Sequence, residues 1–193
     1  AEAGQKIRRL LGGQVGFMSR LTDDLTDAVR IHEGKISLEK ERVELDGALA
    51  SARESVEPAL ARRQQTLRID KPDRPHHVLV DPTRFNQILS NLLYNASKFS
   101  SAHCEIELAA HIDGDTLSIS VKDSGVGVAL ERIEWIFDDF TQIREGGEGM
   151  GLGLALVRRL VRLHGGEIRA LSRGIGEGTT IEIRFPELVD ASK

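Results

Sequence analysis

The chain has 193 residues, 40% hydrophobic and 29% charged, a balance that excludes a disordered polymer. No apolar run approaches the roughly 18 residues of a membrane span, so a membrane-spanning protein is excluded as well and no membrane contact of this fragment is expected. With 26 Lys and Arg against 30 Asp and Glu the formal charge is -4, which removes the global basic field that non-specific nucleic-acid binding exploits.

Residues 7–32 carry Leu11, Met18 and Leu25 at heptad spacing, with Leu21 and Ala28 between them, which predicts one amphipathic helix in want of helical partners. The first residues, Ala1 to Gln5, lack a Met start and an apolar leader, so the start reads as a cut inside a longer protein. Gly34 ends the helix, and Ile36, Leu38, Val43 and Leu45 make an apolar link into a second helix over 46–63. Short strands follow at Thr66–Asp70 and His77–Val80. Asp81-Pro82 then caps a helix running to Phe99. Residues 104–112 and 116–122 alternate apolar and polar side chains around Asp113-Gly114-Asp115, a hairpin signature. A short helix over 130–136, a polar loop over 138–149, a helix over 152–164 and a hairpin of 167–172 with 179–185 complete the series. The sum is an α+β two-layer sandwich: a mixed, mostly antiparallel sheet with helices on one face. Thirteen of the 19 glycines lie after residue 113, as a backbone that approaches a ligand closely requires. The single cysteine, Cys104, excludes an internal disulfide or cysteine-cluster zinc site and suits a reducing compartment such as the cytoplasm.

Three groups carry chemistry. Asn91, Asn95 and Lys98 are spaced by four and three, so two amides and an ammonium share one helix face. A neutral amide oxygen suits Mg²⁺ already surrounded by phosphate oxygens and water, and Lys98 would meet a phosphate as a point charge; the same spacing also describes a solvated helix face. Asp123-Ser124-Gly125-Val126-Gly127 follows an alternating strand, so Asp123 sits at a strand end where its carboxylate can accept from an exocyclic amine, or merely cap a tight turn. Gly149-Met150-Gly151-Leu152-Gly153 opens a helix, where free N–H groups attract phosphate oxygens; a flexible joint is the other reading. A dinucleotide fold fits poorly, because this run follows a loop and not a buried parallel strand.

In this order, with Phe137-Asp138-Asp139-Phe140-Thr141-Gln142 between the second and third groups, the chain resembles the catalytic, ATP-binding domain of sensor histidine kinases. The likeness runs from about Ile7 to Pro186. It implies that residues 1–34 are the second helix of the family's dimerisation and phosphotransfer bundle and residues 35–193 the ATP-binding domain. It also implies that Asn95 ligates Mg²⁺, that Asn91 and Lys98 contact the phosphates of ATP and serve transfer, and that Asp123 binds the adenine amine. Gly125 and Gly127 would shape the pocket, Phe137 and Phe140 would belong to the nucleotide-binding residues, and Arg144 would contact the outermost phosphate from the lid over 138–149. Gly149, Gly151, Leu152 and Gly153 would hinge that lid and present backbone to the phosphates.

Two departures concern the lid: Asp139 stands where the family often has proline, which would loosen it, and Met150 replaces a small hydroxyl residue with little effect. The family's phosphorylated histidine stands before an acidic residue with a proline further along. His32-Glu33 has no such proline, so the acceptor is expected on a bundle helix missing from this chain. The resemblance further implies a homodimer in the full-length protein and a response-regulator receiver domain as partner. Related gyrase-type ATPases place a glutamate base where Asn91 stands. An amide cannot take a proton from water near neutral pH, so transfer is favoured over hydrolysis. A nucleotide-binding or interaction module without catalysis is the reading from a different class.

Overall fold

The computed structural model describes Thr26, residues 37–139, Thr141, residues 151–186 and Leu188–Val189. The expected bundle helix, with Leu11, Met18, Leu21, Leu25 and Ala28 and its exit at Gly34, lies outside the described residues apart from Thr26, which is helical.

Among the described residues eight strands form two sheets. The larger contains β2 (Thr66–Asp70), β4 (Glu105–Asp113), β5 (Thr116–Asp123), β6 (Glu167–Leu171) and β7 (Thr179–Phe185) in the order β2-β4-β5-β7-β6. β2 runs parallel to β4, with Thr66 opposite Glu105, and the other pairs are antiparallel. The smaller sheet has β3 (His77–Val80) between β1 (Glu41–Glu44) and β8 (Leu188–Val189), both antiparallel to it. Helices α1 (Leu45–Arg63), α2 (Pro82–Phe99) and α3 (Gly153–Leu163) cover one face of the larger sheet.

Period-two alternation decides which face that is. Leu117, Ile119 and Val121 of β5 and Ile181, Ile183 and Phe185 of β7 are buried, whereas Ser118, Ser120, Glu182 and Arg184 between them are not. The helices answer with Leu45, Leu49, Ala52, Val56 and Leu60 of α1, Phe85, Ile88, Leu89, Leu92 and Leu93 of α2, and Leu156, Val157, Leu160 and Val161 of α3. At the outer edge of β2 the Arg68 guanidinium bridges Glu105 at 3.3 Å and Glu107 at 2.7 Å across to β4.

Most elements stand where the sequence places them, and three do not. The link ahead of residue 45 contains the strand β1, a sequence of Glu, Arg, Val and Glu whose extended state comes from its distant partner β3 and not from any pattern of its own. Residues 130–136 form no continuous helix but two 3-10 turns, Leu130–Arg132 and Trp135–Phe137. Only Ile136 and Phe137 find a core there, while Leu130 and Trp135 stay exposed. The third is β8, too short to be read at all.

The C-terminal end of α2 is held by a buried amide. Gln65 follows Gln64, which ends α1 in the left-handed region. Its Nε2 donates to the carbonyls of Ser97 at 3.0 Å and Ser101 at 2.8 Å, and its Oε1 accepts from the Ser97 hydroxyl at 2.5 Å. Replacing Gln65 by Ala leaves the buried Ser97 hydroxyl and carbonyl without this partner, and the expected outcome is a loss of about 2 kcal/mol in unfolding free energy, read from urea denaturation at unchanged m-value.

Candidate functional site

The polar face of α2 is continuous. Gln87, Asn91, Asn95 and Lys98 are partly exposed at spacings of four, four and three, while Leu92, Leu93 and Ala96 on the other side are buried. The Nδ2 of Asn91 is buried and has no hydrogen-bond partner among the described residues. An amide donor left so costs roughly 1–3 kcal/mol, and none of the described residues offers this group an acceptor. Lys98 stands 4.6 Å over the ring of Phe99, and Gln87, one turn before Asn91, accepts at its Oε1 from the Arg84 guanidinium at 2.8 Å.

Asp123 ends β5 opposite Thr179 of β7. Its Oδ1 accepts from the Gly125 N–H at 2.8 Å, and the carboxylate also accepts from the backbone of Thr179. Burial pushes its pKa above the ordinary aspartate value, against the pull of those two hydrogen bonds.

Glycine is required where this loop meets its neighbours. A Cβ at Gly125 would lie 2.4 Å from the Phe99 carbonyl oxygen, the same oxygen that accepts from Val126 N–H at 3.2 Å and so pins the loop to the end of α2. Gly127, at φ 65°, would meet the Gly174 carbonyl at 2.1 Å, and Gly178, at φ 70°, the Asp123 carbonyl at 2.1 Å. The turn between β6 and β7 thus forms the outer wall: Gly176 N–H donates to Val126 O at 2.8 Å and Gly178 N–H to Gly125 O at 3.2 Å. The Ser172 hydroxyl accepts from Val128 N–H at 3.2 Å and donates to Gly178 O at 2.7 Å. Sequence reading missed this wall, although Gly174, Gly176 and Gly178 repeat at every second position as Gly149, Gly151 and Gly153 do.

The third group converges on the first. Gly151 is in the left-handed region, Leu152 is buried, and Gly153 opens α3 so close to α2 that a Cβ there would lie 3.5 Å from the Asn95 side-chain nitrogen. The N-cap residue Leu152 offers no capping side chain, and the first N–H groups of α3, lacking intrahelical partners, start beside the amides of α2. Phe137 is buried with the Arg158 guanidinium 6.0 Å from its ring centre. Asp138 pairs with Arg158 at 3.0 Å and Asp139 with Arg159, so the residue expected to loosen the lid is tied to α3. Phe140, Arg144, Gly149 and Met150, with the rest of the proposed lid after Thr141, lie outside the described residues.

Chemically, this arrangement offers amide groups, an ammonium and uncapped helix N–H groups to an anion, and a buried carboxylate to a donor. Among the described residues no cluster of His, Cys, Asp and Glu could hold a metal ion, and no helix is long and apolar enough to cross a membrane. A divalent ion here would draw its ligands from an amide oxygen and from the anion itself.

Comparison with known proteins agrees with this geometry. The family described as Histidine kinase-, DNA gyrase B-, and HSP90-like ATPase matches residues 80–189. The chain is 34% identical over 171 residues to the sensor protein KdpD of Escherichia coli K12, covering 88% of this chain and 19% of that protein. It is 30% identical over 187 residues to the sensor histidine kinase RcsC of Salmonella typhimurium, covering 94% and 20%. It therefore spans about a fifth of the length of these curated relatives. Among solved structures, full-length ShkA in complex with AMPPNP superposes with a TM-score of 0.81 at 29% identity, covering 100% of this chain and 40% of that one. The catalytic domain of the histidine kinase ThkA, at 24% identity and TM-score 0.70 over 77% of this chain and 96% of its own, shares the fold.

The raised pKa of Asp123 has a measurable sign. Between the ordinary aspartate value and the raised one the folded state binds the proton that the unfolded state has released, so Asp123's contribution to stability falls as pH rises through that window. In urea titrations across this range, Asp123→Asn is expected to lack that decline, and identical pH profiles would show that Asp123 is not perturbed.

Proposed function

We propose, since this chain belongs to the family of histidine kinase-, DNA gyrase B-, and HSP90-like ATPases and is the ATP-binding catalytic part of a sensor histidine kinase, that it transfers the γ-phosphoryl group of Mg-ATP to a histidine outside residues 1–193. The observation that carries this reading is Asn91: it stands on the polar face of α2 at the position where a hydrolytic relative would need a carboxylate, and its Nδ2 has no hydrogen-bond partner among the described residues. Asn91 can donate to a phosphate oxygen but cannot deprotonate water, so the nucleophile has to arrive with its own lone pair, as an imidazole does.

Each residue then has a task. Asp123 accepts from the exocyclic amine of adenine, which guanine lacks at that position, and Gly125 and Gly127 keep the pocket free of side-chain bulk. The Asn95 oxygen ligates Mg²⁺, and the ion supplies charge neutralisation across the phosphates when bound. Asn91, Lys98 and the N–H groups after Gly151, Leu152 and Gly153 hold phosphate oxygens, with stabilisation greatest as charge spreads in transfer. The reading further takes Phe137 and Phe140 as nucleotide-binding residues, residues 138–149 as the lid, Gly149 as part of its hinge and Arg144 as a contact to the outermost phosphate.

In the same reading, residues 1–34 supply the second helix of a dimerising bundle and residues 35–193 the ATP-binding domain. The acceptor histidine lies on a bundle helix, the full-length protein works as a homodimer in or facing the cytoplasm, and a response-regulator receiver domain takes the phosphoryl group onward.

Calorimetry tests the pocket: Asn95→Ala is expected to weaken Mg²⁺-dependent ATP binding by about tenfold, with the Mg²⁺-independent part retained. Unchanged Mg²⁺-dependent affinity would remove Asn95 from that role. Labelling with γ-phosphate-tagged ATP tests the transfer. The expected result is no acid-labile, base-stable label on this chain alone and such label on a histidine-bearing bundle hairpin supplied in trans. Label on the chain alone would point to His32, and free phosphate without label would point to a hydrolase.

A further inference from the structure

The two ends of α3 are fixed against the two ends of α2. At its start Gly153 faces Asn95; at its end His164 reaches Asp81, the residue that caps α2. His164 is 2% exposed, and its Nε2 lies 3.1 Å from the backbone nitrogen of Asp81 while its Nδ1 lies 2.8 Å from the Leu160 carbonyl oxygen. A backbone N–H only donates and a carbonyl only accepts, so the imidazole is neutral with its proton on Nδ1. The ring also packs edge-on to Phe185 at 5.9 Å, and Phe185 in turn to Phe85 of α2 at 5.6 Å.

Asp81 joins a third element to this node. Its Oδ1 accepts from the Arg84 N–H at 3.0 Å, as an N-cap does, while its Oδ2 accepts from the Glu39 N–H at 3.1 Å. The Lys40 ammonium donates to the His164 carbonyl at 3.4 Å. The segment that leads into β1 is thereby attached to the start of α2 and the end of α3 at once.

A helix of 11 residues is a stiff rod of about 16 Å, so a shift at His164 along the axis appears undiminished at Gly153. We infer that His164 is a positioning residue: its hydrogen bond to Asp81 sets the register of α3 on α2, and with it the distance of the α3 N–H groups from Asn95. Through Asp81 the segment Glu39–Lys40 acts on the same register, so movement ahead of β1 reaches the phosphate seat without touching it. This rests on the reading of the α3 start as a phosphate seat.

The test compares Mg-ATP with adenosine, which uses the Asp123 pocket but not the α3 start, by calorimetry on the whole chain. His164→Phe keeps the ring packing and leaves the Asp81 N–H without an acceptor. It is expected to weaken Mg-ATP about tenfold and adenosine less than about twofold. His164→Gln, whose oxygen can accept from Asp81, is expected to restore most of the loss. Glu39→Pro, which deletes the N–H donor, is expected to weaken Mg-ATP in the same direction, with Glu39→Ala as the silent control. Equal losses for both ligands, or unchanged Mg-ATP affinity in His164→Phe, would overturn the inference. A wild-type chain that binds adenosine but not Mg-ATP would instead refute the phosphate seat. Amide exchange then still decides the register, since unchanged protection at Gly153–Leu156 in His164→Phe would refute the coupling.

Discussion

Helix α2 has to satisfy two incompatible solvents, and the rest of the molecule is arranged around that division. One side packs Phe85, Ile88, Leu89, Leu92 and Leu93 into the core, all nearly inaccessible. The other turns Gln87, Asn91, Asn95 and Lys98 outward. Burial of five large side chains, each contributing roughly 1.5–3 kcal/mol, fixes the rotation of the helix about its axis far more firmly than any polar contact could. The amides are therefore held in place by hydrophobic packing behind them. What the packing leaves open is axial position, and the fold closes that with polar contacts at both ends: the Asp81 cap at the start and the Gln65 clamp at the end.

The proposed nucleotide pocket stands on a local cost. A carboxylate at Asp123 is buried further than its two backbone hydrogen bonds compensate, and Asn91 carries a donor that no described residue receives. Such groups are unfavourable in the empty protein and favourable with a complementary ligand, so part of the binding energy is already stored as unsatisfied capacity. The three close approaches at Gly125, Gly127 and Gly178 serve the same end, because backbone packed on backbone leaves a wall that side chains cannot crowd.

How much of this was legible in the sequence depended on where the determining partner lay. The α2 helix announces itself through Asp81-Pro82 and its apolar period, and the hairpin of β4 and β5 through Asp113-Gly114-Asp115, because cap, period and turn are all local. That the amides of α2 share one face and that Asp123 ends a strand were readable for the same reason, their spacing being set by a single element. β1 was not, since one valine among charged residues becomes a strand only beside β3, and the turns around Leu130 and Trp135 escaped because a short apolar run fits helix and 3-10 turn alike. The Ser172–Gly178 wall was missed although its glycines were visible: what makes them necessary is the arrival of the Asp123 loop from a different part of the chain. His164 looked like one of several scattered histidines until the fold brought it to Asp81.

The position of β7 has a consequence for how the chain comes into being. Although it is the last long strand in sequence, it lies inside the larger sheet between β5 and β6, supplies Ile181, Ile183 and Phe185 to the core and gives Asp123 its second backbone donor. During synthesis β4 and β5 emerge and can pair at once, but β5 keeps an open edge and the helices an open face until residue 185 has left the ribosome. Folding of this domain is thus completed only once β7 has emerged, and until then the nascent chain carries the unpaired edge of β5.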